Sequence, residues 1–330
     1  MRTRSVQSIN QTFSAIGLGC WAIGGAGVWS DSSDQSSNAT ITEALDLGVT
    51  VFDVAPVYGF GHAEKILGAA LEASGMREQI TIATKCGLVW DDRYRIVRDL
   101  SPASIRAEVD ASLQRLRTDY IDIYQLHWPD PNVPLEETIG ELQEQKRRGK
   151  IRAVGLSNFS RPQTLEALSL KPIVSCQGLY NLLERNPESY HGIPLEYRVE
   201  REILPLCRER GLAFFPYSPL MQGLLAGAYD EGTVFSHDDV RSHNPKLNGS
   251  ERGRRIAAVK ELTELTRAEG HPVSHLAMAW LVDNEAVTSV ICGAQTPEQI
   301  RENVEAAQWS PGADFYAEAD RILERHGVID

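Results

Sequence analysis

Eight short runs of apolar and β-branched residues recur along this chain, most of them roughly 35 residues apart, the length of one strand-plus-helix unit. They fall at 16–20, 49–52, 80–84, 121–126, 151–156, 173–176, 212–215 and 288–291. Such runs do not alternate polar with apolar residues, so they read as strands buried on both faces, and strands of that kind belong to parallel sheets. Between them lie stretches with helical periodicity at 35–47, 63–73, 102–117, 135–148, 161–168, 200–210, 251–269, 274–283 and 297–306, with a last helix at 315–325. Ser101 followed by Pro102 marks a helix start, a capping hydroxyl with proline at the first turn. Eight βα units close most economically into an α/β (β/α)8 barrel. No linker rich in Pro or Gly divides the 330 residues, so residues 1–330 are expected to form a single barrel domain with extra helices and long loops at the C-terminal face. The segment 220–248 is rich in Gly, Asp, Ser and Asn and reads as one such loop.

Four polar residues stand at or just past the ends of successive runs: Asp53 and Tyr58 in VFDVAPVYG, Lys85 in ITIATK, and His127 in IDIYQLH. Parallel strands bring them to one end of the barrel, where such folds carry their chemistry. Reducing a carbonyl by hydride leaves an alkoxide that needs a proton, and a phenol with a pKa of about 10 is a poor donor unless a neighbour assists it. An ammonium beside the phenol lowers its pKa, which gives Lys85 a role. Burying that ammonium requires a partner, which gives Asp53 one. His127 can hydrogen-bond the substrate oxygen. Any one of these residues alone would be read as packing; the conjunction points to catalysis.

In residue type, order and local context, Asp53, Tyr58, Lys85 and His127 match the tetrad of the aldo-keto reductase family, which the chain resembles from Gly17 to Asn303. The resemblance implies the same barrel and a nicotinamide cofactor. It implies that Ser157, Asn158 and Gln177 hydrogen-bond the carboxamide, that Tyr217 stacks on the nicotinamide, and that Ser218, Leu220 and Gly223 lie along the pyrophosphate. It assigns Gly293, Gln295, Gln299, Glu302 and Asn303 to the adenosine end, and it puts Trp21 at the border of the active site. NADP(H) is favoured by the family and NAD(H) stands second, because a basic residue often found at position 295 or 296 is replaced here by Gln295 and Thr296, and a 2′-phosphate is held best by Arg or Lys. The segments around Trp21 and Tyr217 look more like the bacterial inositol- and sugar-associated branch.

Trp21, Trp29, Phe60, Trp90 and Trp128 lie near strand ends and are the expected substrate pocket. The charged stretch 91–98 reads as solvated surface. The GLGCWA segment at 17–22 fits a dinucleotide fingerprint only superficially, since glycines follow where a helix should start. His271 and His275 have metal-like spacing, but Pro272 breaks the helix between them, and no metal site is expected. There is no P-loop and no Y-x-x-x-K.

The net charge of −12 and the absence of long basic blocks exclude nucleic acid as an expected partner. No apolar run is long enough for a membrane span. The basic N-terminus leads into no apolar stretch, and five isolated cysteines suit reduced thiols, so a cytoplasmic location is expected. The expected activity is interconversion of a small-molecule carbonyl compound or polyol, with Tyr58 as acid and base. Two alternatives are a cofactor-binding redox sensor with little turnover and a sugar or inositol dehydrogenase working oxidatively.

Overall fold

The computed structural model describes residues 1–6, 9–25, 33–236 and 239–329. Eight parallel strands close into a barrel in chain order: Ile16–Gly19, Val51–Asp53, Thr81–Cys86, Ile121–Leu126, Ile151–Ser157, Ser175–Leu179, Ala213–Tyr217 and Val290–Gly293. Helices cover its outer face, so each strand is buried on both sides, which is why its sequence does not alternate. The (β/α)8 expectation holds. Several strands run one or two residues further than their apolar runs, and the additional residues include Lys85, Ser157 and Tyr217.

Inward-facing side chains recur every second residue along a strand. The apolar cluster towards the floor contains Val51, Ala83, Ile123, Ala153, Ala213, Phe215 and Ile291. An N-terminal hairpin, Thr3–Val6 paired with Gln11–Ser14, closes the floor, with the Phe13 ring edge-on to Phe215 at 5.6 Å. The sequence reading did not anticipate this plug, whose four-residue strands carry little pattern. Two residues further along the second to fifth strands the inward positions become Asp53, Lys85, Gln125 and Gly155. The barrel is therefore oily at its floor and polar towards its C-terminal mouth.

Outside the barrel, helix His62–Ser74 crosses helix Pro102–Leu116 at Gly68, where a Cβ would stand 2.5 Å from the Arg115 carbonyl oxygen. Nearby, buried Glu64 accepts from Thr84 Oγ1 at 2.7 Å and from Arg115 Nε at 2.6 Å. Ser101 caps its helix as expected, accepting from Ser104 N at 3.3 Å.

The charged stretch after the third strand is solvated surface as expected, with residues 92–98 exposed, and it folds as a hairpin, Leu88–Trp90 with Ile96–Arg98, because Asp91 closes its turn by accepting from the Arg93 and Arg95 amides. Two expectations need correction. Residues 200–210 do not form one α-helix. Val199–Ile203 is a π-turn leading into Leu204–Arg210, since Pro205 has no N–H to offer an α-helical turn. The segment 220–248 is broken into short turns, Met221–Ala226, Val240–His243 and Pro245–Asn248. Pro272 sits at the N-cap of helix Val273–Asp283, and the ring of His271 before it stacks on Trp309 at 4.2 Å. All five cysteines are free and buried, and no helix among the described residues is long and apolar enough to cross a membrane.

Candidate active site

Asp53, Tyr58 and Lys85 converge at the barrel mouth. Lys85 is fully buried, and its Nζ donates to Asp53 Oδ2 at 2.7 Å, to the Val54 carbonyl oxygen at 3.0 Å and to the Tyr58 hydroxyl oxygen at 3.1 Å. An ammonium has three protons and no lone pair, so these contacts use all of them. The Tyr58 oxygen accepts, and its own proton is free to point elsewhere. Tyr58 is carried by a tight turn after the second strand, with Tyr58 N donating to Ala55 O at 3.1 Å and Gly61 N to Pro56 O at 2.6 Å. Gly59 adopts φ +62, and a side chain there would collide with the Gly24 carbonyl, so only glycine lets this turn lie against the loop after the first strand.

The His127 ring packs edge-on to the Tyr58 ring with centroids 6.0 Å apart, and the Trp21 ring lies 6.5 Å from Tyr58 on a tilted plane. Burial, reinforced by the Lys85 charge, holds His127 well below the usual histidine range, so it stands neutral. Tyr58 departs from the sequence reading. Its pKa is raised above that of an ordinary phenol, first by burial, then by the charge of Asp53 and by Cys20. Burial, which penalises phenolate, and the Asp53 charge outweigh the lowering by Lys85, so the net direction is upward.

Beside this group, the ends of the fifth, sixth and seventh strands form a second polar cluster. Asn158 Nδ2 donates to Ser157 Oγ and to the His127 carbonyl oxygen, both at 3.1 Å, and Asn158 Oδ1 accepts from Tyr197 and Tyr217 hydroxyls, both at 2.9 Å. Gln177 Oε1 lies 3.5 Å from Ser157 Oγ, and Gln177 Nε2 donates to Asp53 Oδ1 at 2.8 Å, tying the two clusters together. Tyr197 and Gln125 escaped the sequence reading. Tyr197 sits in an irregular segment with no local signal, whereas Gln125 was visible as a lone amide inside an apolar strand.

Ser218, Leu220 and Gly223 lie on the turns after the seventh strand. Ser218 has φ +56, and its carbonyl oxygen accepts from Asn181 Nδ2 at 3.0 Å. Gly223 N donates to Leu220 O at 3.0 Å, and Gly223 has φ +101. At the end of the eighth strand, exposed Gly293 leads to Gln295, whose backbone N–H donates to Gln299 Oε1 at 2.7 Å. Glu302 accepts from Ser274 Oγ at 2.7 Å, and Asn303 is buried. Arg301, on the same helix, is engaged by Glu43 at 2.7 Å and Glu298 at 3.2 Å.

The expected aromatic pocket is only partly assembled. Phe60 meets Trp90 at 5.4 Å and Tyr94 at 4.7 Å to form an outer rim. Trp128 is buried in the main core with Arg98 over its ring, and Trp29 lies outside the described residues. The hairpin turn of 189–194 contributes rings that the sequence reading missed: His191 stands edge-on to Trp21 at 6.2 Å, and Tyr190 edge-on to Tyr217 at 5.3 Å.

The fold is thus a (β/α)8 barrel with a hydrogen-bonded Asp-Lys-Tyr group at its C-terminal mouth. The chain belongs to the aldo/keto reductase family, whose model matches residues 15–324. It is 38% identical over 325 residues to the aldo-keto reductase YhdN of Bacillus subtilis, covering 98% of this chain and 94% of that protein. It is also 38% identical over 308 residues to the NADH-specific methylglyoxal reductase of Escherichia coli, covering 89% and 90%. Among solved structures it resembles the glycerol dehydrogenase AKR11B4 of Gluconobacter oxydans, with a TM-score of 0.86 and 36% identity over 98% of this chain and 95% of that one. The holo form of AKR11C1 from Bacillus halodurans superposes with a TM-score of 0.76 at 28% identity, covering 99% and 96%. Members of the family use nicotinamide cofactors.

Proposed function

We propose that this protein interconverts a short carbonyl compound and the corresponding alcohol, with Tyr58 as the proton donor in reduction and the acceptor in oxidation. The observation that carries the reading is the saturation of the Lys85 ammonium by Asp53 Oδ2, Val54 O and Tyr58 Oη, which leaves the phenol proton as the one to be given away. A bound nicotinamide dinucleotide supplies or takes the hydride. Ser157 and Gln177 offer a hydroxyl and an amide suited to a carboxamide, while Asn158, whose own amide is taken up by His127, Ser157, Tyr197 and Tyr217, holds Ser157 and the Tyr217 ring in place, and that ring offers a flat apolar face to a nicotinamide.

In reduction the substrate carbonyl oxygen sits between Tyr58 and neutral His127. His127 donates a hydrogen bond that orients the oxygen, and Tyr58 gives its proton as negative charge develops there. The phenolate left behind is stabilised by the Lys85 ammonium, which Asp53 keeps in place. A raised pKa suits this direction because it keeps Tyr58 protonated until charge builds on the substrate. Oxidation runs the same steps backwards and requires the phenolate.

For the cofactor, neutral Gln295 and Gln299 and the prior engagement of Arg301 offer no free cation for a 2′-phosphate, and the methylglyoxal reductase relative is NADH-specific by name. These observations favour NAD(H) over the NADP(H) first expected. The relatives named for methylglyoxal and for glycerol support a substrate with oxygens on neighbouring carbons. The test is oxidation of NADH and of NADPH by purified protein with small aldehydes and 2-oxoaldehydes, alongside NAD(P)+ reduction with glycerol. Turnover with NADH above that with NADPH is expected. Tight cofactor binding with no turnover in either direction would overturn the enzyme reading in favour of a redox sensor.

A further inference from the structure

Gln125 is fully buried on the fourth strand, directly before the mouth-facing His127 on the same inward face and in register with Lys85 on one side and Gly155 on the other. Its Nε2 donates to Asp53 Oδ1 at 3.3 Å, the same oxygen that accepts from Gln177 Nε2 at 2.8 Å. Its Oε1 is buried with no hydrogen-bond partner among the described residues. Leaving half of a buried amide unsatisfied is costly, and a Leu or Met would fill this strand position without that cost. Room for the long side chain is made by Gly155, where a Cβ would stand 3.0 Å from Gln125 Cγ.

We propose that Gln125 is a positioning residue for proton transfer, acting through Asp53. The role rests on the reading of Tyr58 as proton donor. Two amide protons from different strands fix Oδ1 of the carboxylate, so that only Oδ2 faces Lys85. The lock prevents the carboxylate from turning about its χ2 angle, which would otherwise drag the ammonium from Tyr58. The same protons draw negative charge towards Oδ1 and away from the phenol. Asp53's charge is one cause of the raised Tyr58 pKa, so removing a donor from Asp53 makes Tyr58 a weaker acid.

The test is the pH profile of kcat for Gln125→Met, which keeps the volume and removes the donor. The fall in reductive kcat on the alkaline side, where Tyr58 loses its proton, is expected to move upward by roughly half a pH unit or more, and kcat at neutral pH to fall about tenfold. Cofactor Kd is expected to stay within about twofold of the parent, because the amide touches Asp53 and not the proposed carboxamide site. An alkaline limb that does not move, whether or not kcat falls, overturns the proposal. Gln125→Glu decides the matter if the Met variant does not fold. Its protonated carboxyl can donate to Asp53, so turnover should match the parent at low pH and decline as that carboxyl ionises, and a profile parallel to the parent's would overturn the proposal. Tyr58→Phe separates the two levels. Full turnover in that variant removes the basis of the proposal, whereas lost turnover beside an unmoved limb in the Gln125 variants refutes the role of Gln125 alone.

Discussion

The amide oxygen of Asn158 and the hydroxyl of Tyr217 are 2.9 Å apart, joining the end of the fifth barrel strand to the end of the seventh. The same oxygen takes the Tyr197 hydroxyl, and Asn158 itself adopts φ +63, a conformation asparagine tolerates better than most residues. The Tyr217 ring is thereby held edge-on to Tyr190 rather than left to rotate. If the ring stacks on nicotinamide, Tyr217→Ala should weaken cofactor binding by roughly tenfold, the equivalent of about 1.4 kcal/mol of stacking. Tyr217→Phe, which keeps the ring and frees it, should lose less. Fluorescence titration with NADH and NADPH measures both.

The buried Lys85 ammonium donates directly to the Tyr58 oxygen. Lys85→Met should reduce kcat by about 10²- to 10⁴-fold, the usual range for removing a group that supports proton transfer, with a much smaller change in cofactor Kd. Steady-state kinetics beside a binding titration distinguish this from a folding defect, which would depress both.

Glu108 lies behind the third strand and receives the Gly87 amide on both carboxyl oxygens, at 3.0 and 3.1 Å. Burial, partly offset by hydrogen bonds from Gly87 and Ser104, raises its pKa from 4.5 to about 7. The folded protein therefore holds this proton more tightly than the unfolded chain. The associated stability is fully present below pH 4.5 and is lost as pH rises through about 7. Glu108→Gln should abolish that loss, worth up to about 3 kcal/mol. Comparing Tm of parent and variant at pH 5 and pH 8 checks it: the gap in Tm between the two pH values should narrow in the variant.

Gly68 allows helix His62–Ser74 to touch the backbone at Arg115 and Leu116. Neither contact is a flexible side chain, so Gly68→Ala must push the helices apart and should destabilise by about 1–3 kcal/mol despite alanine's better helix propensity. Chemical denaturation would register a lower midpoint at unchanged slope.

The barrel was legible because eight doubly buried strands leave eight unalternating runs, and because Gly and Pro mark the helix ends. Asp53 and Lys85 were legible for a related reason: each is a polar residue at the end of such a run, and strand direction brings the ends together, whereas Tyr58 is delivered by the turn that follows the second strand. What the sequence hid depends on long-range contact. Gln177 was read only as a carboxamide ligand, yet its amide nitrogen reaches Asp53 across the barrel, a separation of 124 residues. Tyr197 reaches Asn158 from an irregular segment, and the hairpin carrying Tyr190 and His191 has strands of two residues, too short for any periodicity. The direction of the Tyr58 pKa was missed because residue types give charges but not burial.

The central claim is that the Tyr58 hydroxyl, oriented by Lys85, gives the proton. The direct measurement is single-turnover oxidation of bound NADH or NADPH by Tyr58→Phe with an activated aldehyde, beside fluorescence titration of the same cofactor. The account predicts cofactor affinity close to that of the parent and a hydride-transfer rate lower by at least about 10²-fold. Parental turnover in the Phe variant, with cofactor bound as before, would contradict it.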